Sequence, residues 1–183
     1  MRATWAFVPA LGAAAAHAPV LRFDLLRSLK RPLDGGASLG GRRVFGDNKT
    51  VRGALVMTAG TTAAAAALSR SEWFRERLPP ELRDAPPAAY GLLLGAAVVL
   101  GELPNSFAKR RLGIEPGRRR GSPLGAAIAV YDQADFVPWA ALTLRPLWRM
   151  SAAEVAEAFA VVAGVHLAIN VVGYAVGART SPL

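Results

Sequence analysis

Apolar positions along the chain fall into five blocks, roughly 4–21, 53–68, 88–107, 124–144 and 155–177, with charged, glycine and proline residues gathered between them. A helix that crosses a bilayer needs about 20 mainly apolar residues, so each block predicts a crossing. The second, GALVMTAGTTAAAAAL, is short and alanine-rich; the fourth, LGAAIAVYDQADFVPWAALTL, carries two aspartates and a proline and can cross only where something offsets them. Small residues dominate, as in AAAA at 13–16, AAAAA at 63–67 and GLLLGAA at 91–97. In lipid such residues allow close backbone packing, between helices or between copies in a homo-oligomer. The pattern predicts an all-α integral membrane protein: a single membrane domain over 1–183, with about five transmembrane helices and two basic loops, 22–52 and 108–123. The first block is not read as a signal peptide, because one arginine precedes it and the basic cluster follows it.

Composition agrees with a membrane. Of the 183 residues, 52% are hydrophobic and 19% charged, with mean hydropathy +0.27, against about 25% charged in a typical soluble domain. The absence of cysteine excludes disulfides, thiolate metal sites and a cysteine nucleophile. The net charge of +9 calls for an acidic partner. No nucleic-acid-binding module is visible, which leaves membrane lipid or a nucleotide. The two basic loops and the tail after 177 hold 15 of the 22 basic residues, and the alternate connections hold 7. That asymmetry predicts an outside N-terminus, with the basic loops and the C-terminus in the cytoplasm. A soluble bundle of buried alanine-rich helices is the competing reading.

Three acids lie well inside the blocks: Glu102, Asp132 and Asp135. An acid at the centre of a membrane helix costs about 2.5–3.5 kcal/mol on insertion scales and is by default a functional candidate. If YDQADF is helical, the carboxylates of Asp132 and Asp135 point to one side. With Glu102 as a third oxygen donor they suit Mg²⁺; the alternative places them at a helix end wetted by the interface. The loops supply the opposite charge. Lys49 and Arg52 flank Thr50 between Gly46 and Gly53, and Lys109, Arg110 and Arg111 form a run in the second loop. Arginine grips phosphate through a fork and lysine as a point charge, while glycine permits close backbone approach to a ligand. Arg118, Arg119 and Arg120 read as a topology or headgroup anchor.

A Walker A loop is excluded: Asp47 follows Gly46 where the motif needs lysine, and Lys49 falls three positions after Gly46. His166, Asn170 and Tyr174 share one helix face, either bonded to a neighbouring helix or lining a site; His17 is assigned no role. No nucleophile–base pair stands out. Carboxylates for a cation and basic groups for phosphates fit phosphoryl or nucleotidyl transfer, which depends on positioning and charge neutralisation.

Four motifs, PLDGG (32–36), FGDNKTVRG (45–53), SFAKRRLG (106–113) and DQADF (132–136), resemble those of the CDP-archaeol synthase family. The resemblance covers about 32–53 and 101–136. It implies a five-helix membrane cytidylyltransferase that transfers CMP from CTP to a lipid phosphate with Mg²⁺, releasing pyrophosphate. Asp132 and Asp135 match the paired acids, with Glu102 as a further metal ligand. Lys49, Thr50 and Arg52 match the Gly46-Asp47 loop motif, and Lys109, Arg110 and Arg111 the basic run. Asn48 and Ser106 are the expected hydrogen-bonding partners of the nucleotide. Glu102 stands where the archaeal pattern tends to have Asp, and Asn105 where it tends to have Gly. The alanine- and arginine-rich composition also suits a GC-rich bacterial genome, in which a diacyl phosphatidate would be the acceptor. A transporter would be expected to show two matching halves with broken helices, which five unlike blocks do not provide; a noncatalytic lipid-binding scaffold would leave the intramembrane acids without a purpose.

Overall fold

A computed structural model of the chain describes residues 2–114 and 123–175. In it the protein is a helix bundle topped at one end by irregular loops. After a first turn, α1 (Arg2–Trp5), and a 3₁₀ turn, α2 runs over Leu11–Arg22. A long loop containing the short antiparallel pair β1 (Ser38–Leu39) and β2 (Arg42–Arg43) leads to α3 (Val51–Leu68). The short helices α4 (Glu72–Arg75) and α5 (Pro80–Arg83) connect to α6 (Pro87–Arg111). Helices α7 (Pro123–Tyr131), α8 (Phe136–Thr143) and α9 (Ala152–Ala175) follow. Among the described residues four helical segments are long and apolar enough to cross a membrane: Arg2–Arg22, Val51–Leu68, Pro87–Arg111 and Ala152–Val172.

The block expected to cross as one helix over 124–144 differs. It forms two helices of 9 and 8 residues separated by a turn at 132–135. The premise that YDQADF is helical therefore does not hold, and the two aspartates meet through a turn. The turn keeps its backbone satisfied: the Asp132 amide donates to the Ile128 carbonyl at 2.9 Å, Gln133 to Val130 at 3.1 Å and Ala134 to Tyr131 at 3.1 Å. Irregular backbone at membrane depth is tolerated only where protein buries it or a polar cavity meets it, and both conditions apply here.

Helix α3 is the hub, packing most extensively on α6 and α2, while α6 also carries α8. These contacts are backbone-close because the sequence provides glycines at the crossings. Gly12 on α2 and Gly60 on α3 face each other so tightly that a methyl group on either would overlap the other's carbonyl oxygen. Gly101 on α6 lies against the Phe136 backbone with no room for a methyl group, which brings α8, and the turn before it, onto the α6 surface. Helix α9 touches α1 and α8 and presents Ile169, Val171 and Val172 outward, as a lipid-facing helix should.

At the end remote from the basic loops, Phe74, Leu78, Leu82 and Tyr90 are buried, and the Tyr90 hydroxyl donates to the Ala6 carbonyl. Trp5 and Trp73 meet edge to face with centroids 5.2 Å apart, and the Arg77 guanidinium lies 3.9 Å from the Trp73 centroid. Amphipathic rings of this kind suit a membrane–water interface.

Gly101→Val should separate α6 from α8, with an overpacking cost of about 1–3 kcal/mol. A lowered melting temperature in detergent, together with turnover reduced beyond the folded fraction, is the expected outcome. Wild-type turnover at wild-type stability would show that this crossing does not position the turn.

Candidate active site

The first loop is organised around one acid of the PLDGG motif. The Asp34 carboxylate accepts from the Phe45 amide at 3.0 Å, the Gly36 amide at 3.0 Å and Arg43 Nη2 at 2.7 Å. Two backbone bonds, Leu33 amide to Lys49 carbonyl at 2.8 Å and Val51 amide to Arg31 carbonyl at 2.9 Å, zip the start of the loop to its end. Gly46 takes φ of +100°, a conformation open to glycine, where the chain turns into Asp47 and Asn48. Thr50 then caps α3, its Oγ1 accepting from the Gly53 amide at 3.1 Å. The loop is clamped from the second basic run: Arg111 Nη2 donates to the carbonyls of Arg42 at 2.9 Å and Arg43 at 2.7 Å, and Nη1 to that of Leu39.

Under this loop lies a cavity of about 790 Å³ between α1–α2, α6, the α7–α8 turn and α9. One end is charged. Helix α6 offers Glu102, Ser106 and Lys109 from one face, spaced three and four apart, with Arg110 beside them. The first loop adds Asn48 and Lys49, and the turn adds Asp132 and Asp135. Lys49 pairs with Glu102, and Lys109 Nζ lies 2.7 Å from Asp132 Oδ1. Asn105 Nδ2 bridges the paired acids, donating to Asp132 and, at 3.1 Å, to Asp135 Oδ2. The two carboxylates thus come within hydrogen-bond reach of a single nitrogen. The other end is apolar, walled by Phe7, Val8 and Leu11 from the N-terminal segment, Met57 and Val98 from α3 and α6, and Val161, Val162 and Val165 from α9.

Of the residues singled out in the sequence, Asn48, Lys49, Glu102, Ser106, Lys109, Arg110, Asp132 and Asp135 share this cavity. Five others do not line it. Arg52 is only 3% exposed and turns to Asp24, donating from Nη1 to Oδ1 at 2.8 Å and to the Leu25 carbonyl at 2.8 Å. Where a phosphate contact was expected, Arg52 anchors the loop's first residues: a buried guanidinium needs local acceptors, and Asp24 supplies them. Arg111 is likewise a clamp, Thr50 a helix cap, Gly46 a turn and Asp47 an outward partner of Arg43. Arg118, Arg119 and Arg120 lie outside the described residues.

Sequence reasoning gave no part in the site to two residues that reach it. Asn105 was visible only as a departure from a family pattern, although its place between Glu102 and Lys109 on the α6 face was a usable signal. His17, isolated in an alanine run, lines the cavity beside the first turn of α3, where a methyl group on Gly53 would lie 3.5 Å from its Nε2. His166, for which both bonding to a neighbouring helix and lining a site were open, reaches the wall.

Among the described residues no three His, Asp or Glu side chains form a ready-made metal cluster. The expected set of Glu102, Asp132 and Asp135 shares one wall, but Glu102 is held by Lys49. The paired oxygens of Asp132 and Asp135 do fit Mg²⁺, a hard cation commonly held by one or two carboxylates plus substrate phosphates.

A polar site sunk among membrane-length helices and continuous with an apolar cleft defines the class: an intramembrane enzyme. Comparison with known proteins gives the family. The CarS-like (CDP-archaeol synthase) family model matches residues 5–182. The chain is 40% identical over 166 residues to a CDP-archaeol synthase of Halobacterium salinarum, covering 83% of each chain. It is 32% identical over 167 residues to that of Methanococcoides burtonii, covering 83% of this chain and 90% of the other. A solved intramembrane enzyme for archaeal membrane lipid biosynthesis superposes with TM-score 0.63 at 32% identity, over 92% of both chains. The chain belongs to the CDP-archaeol synthase family, whose members form a CDP-lipid with CTP as the nucleotide donor.

Two predictions concern the loop. Burial opposes ionisation of Asp34, but the Phe45 and Gly36 amides and Arg43 outweigh it and hold its carboxyl at about 2. A depressed pKa stabilises the fold above the ordinary carboxylate value of about 4, and that support is lost as pH falls through about 2. Pepsin should therefore begin to cut within 33–47 as pH falls from 4 towards 2, while the helical circular-dichroism signal persists. Cutting that is unchanged over this range would remove Asp34 as the organiser.

The second separates scaffold from site. Arg52→Ala and Arg111→Ala should expose the loop to protease at neutral pH and lower the melting temperature. Lys109→Ala should leave the loop's protease resistance unchanged and reduce turnover at least tenfold. Equal protease sensitivity in all three would show that the arginines have no special structural role.

Proposed function

We propose that the chain transfers CMP from CTP to the phosphate of an ether-linked isoprenoid glycerol lipid, with Mg²⁺ held by Asp132 and Asp135. The observation that carries this reading is the two-ended cavity: carboxylates and lysines at the loop end and an apolar cleft, walled by α2 and α9, leading from it. A nucleotide from water and a lipid from the bilayer can meet there. The archaeal-type acceptor is favoured over diacyl phosphatidate because the named relatives are archaeal CDP-archaeol synthases.

In the reaction a lipid phosphate oxygen attacks the α-phosphorus of CTP in line. A new P–O bond forms as the bond to the β-phosphate bridging oxygen breaks, and pyrophosphate leaves. Bound Mg²⁺ would neutralise charge on the phosphate oxygens. Lys49, Lys109 and Arg110 bind the remaining phosphate charge, which requires Lys49 to exchange Glu102, and Lys109 to exchange Asp132, for the ligand. Asn48 and Ser106 orient the nucleotide through hydrogen bonds. Asn105 keeps the two acids together, and the packed helices keep bulk water from the acceptor. No protein nucleophile is required.

The accompanying topology counts α7, the turn and α8 as one broken crossing. It places the N-terminus outside and the basic loops and C-terminus in the cytoplasm, on the charge asymmetry. The cavity as described is built by one chain, so the site does not itself need a homo-oligomer.

The test supplies purified protein in detergent with labelled CTP, with and without Mg²⁺, and offers either the isoprenoid ether phosphate or phosphatidic acid. Labelled CDP-lipid from the ether lipid, dependent on Mg²⁺, is expected; product from phosphatidic acid alone would overturn the acceptor. Asp135→Asn should reduce turnover by at least 10²-fold with the protein still folded, and retained activity would overturn the metal assignment.

A further inference from the structure

Helix α9 reaches the paired-acid turn with two side chains four positions apart. His166 Nδ1 meets the Gln133 carbonyl; since a carbonyl only accepts, Nδ1 carries the proton. Asn170 Nδ2 donates to Gln133 Oε1 at 2.8 Å, and Gln133 Nε2 donates to the Ala129 carbonyl, on the last turn of α7, at 2.9 Å. Gln133 is 8% exposed and Asn170 7%. Both the main chain and the side chain of Gln133 are thus committed to groups outside the carboxylate pair. Its flanking residues Asp132 and Asp135 go the other way, to Lys109 and Asn105 on α6.

A four-residue turn has few ways to rotate. With Gln133 held on the α9 side, its neighbours are fixed on the cavity side, at the spacing that lets one Asn105 nitrogen reach both. We propose that His166 and Asn170 are positioning residues for the reaction. By clamping Gln133 from α9, they set the rotation of the 132–135 turn and hence the separation of the two carboxylates that receive the metal–nucleotide complex. This inference rests on the reading of Asp132 and Asp135 given above. Mere packing of α9 against α8 would predict a loss of stability and nothing more.

The experiment uses the full chain in detergent. It compares wild type with His166→Ala, His166→Gln and Asn170→Asp, and with Tyr174→Phe, an outward position on the same helix, as control. Measured are kcat, KM for the lipid phosphate, the Mg²⁺ concentration at half-activation, direct calorimetric binding of CTP with Mg²⁺, and melting temperature. Asn170→Asp keeps the side-chain shape and removes the donor, so it carries the test even if His166→Ala folds poorly. Supporting-shell losses at metal sites run about 10–100-fold in affinity or activity. His166→Ala and Asn170→Asp should show kcat loss of that order, a raised Mg²⁺ half-activation and weakened Mg²⁺-dependent CTP binding, with lipid KM unchanged. His166→Gln, whose amide can donate to the same carbonyl, should recover most of the loss, and Tyr174→Phe should match wild type.

Variants that lose activity only in step with melting temperature, at unchanged Mg²⁺ half-activation and CTP binding, would reduce the clamp to packing and overturn the proposal. Failure of His166→Gln to improve on His166→Ala would overturn the role of His166. Wild type that turns over without Mg²⁺ would sink this inference together with the metal reading beneath it; Mg²⁺-dependent wild type with unaffected variants would sink this inference alone.

Discussion

A carboxylate among apolar helices must be met by donors, and that requirement holds the two halves of the bundle together. Glu102, Asp132 and Asp135 are answered by Lys49, Lys109 and Asn105. The donors come from the residue before the α3 cap and from two successive positions on one face of α6. Satisfying three acids therefore fixes where α3 starts, how α6 is rotated and how near the α7–α8 turn approaches. Tight backbone contacts make the approach feasible: without Gly101 against Phe136 the turn could not come within reach of Asn105. Charge satisfaction and close packing are thus two sides of one constraint. The partners that neutralise the acids are also the groups a phosphate would recruit, so binding of the proposed ligand would be an exchange of partners within a site that is already charge-balanced.

The basic residues divide by chemistry. Arg42, Arg43, Arg52 and Arg111 spend their guanidinium forks on carbonyls and acids within the loops. Several fixed donors in one plane are well suited to tying irregular backbone together. Lys49 and Lys109 face the cavity, each with a mobile ammonium in a single ion pair. A point charge on a flexible stem can change partner at low cost, whereas an arginine that holds two or three carbonyls cannot leave without loosening the loop. Four arginines in and beside the loops therefore act as scaffold, while Lys49 and Lys109, with Arg110, are the cations left at the cavity for the binding proposed above.

The membrane class and four of the five long segments were legible from apolar blocks, because a bilayer imposes length and composition directly on sequence. The grouping of Lys49, Glu102, Lys109, Asp132 and Asp135 was legible too, since isolated charges in apolar surroundings have few uses. The local geometry was not. Asp132 and Asp135 are spaced as a helix face would space them, and nothing in YDQADF announces that Gln133 is claimed by a helix some 33 residues later. Arg52 sits in a phosphate-like motif, yet its acceptor, Asp24, lies 28 positions upstream. Periodicity reports the face a residue occupies within its own element; it cannot report which distant group will satisfy it, and partner choice is what separates a binding arginine from a structural one.

The broken helix follows from the same reasoning. An unbroken α-helix over 124–144 would satisfy nearly every backbone group internally, the carbonyl four residues before Pro138 excepted. The break gives up that continuity for a turn whose middle residue points to α9 and whose flanking acids point to α6. Helix α9 packs on α1 and α8, while the facing walls of α2 and α9 line the apolar part of the cavity. The acids therefore stand where the basic loop region and the apolar part of the cavity come together. A donor that is soluble and an acceptor that is not can share a reaction coordinate only at such a junction. Placing the carboxylates in a turn fixed to both walls, instead of on a mobile surface loop, would make the junction rigid enough for the chemistry proposed above.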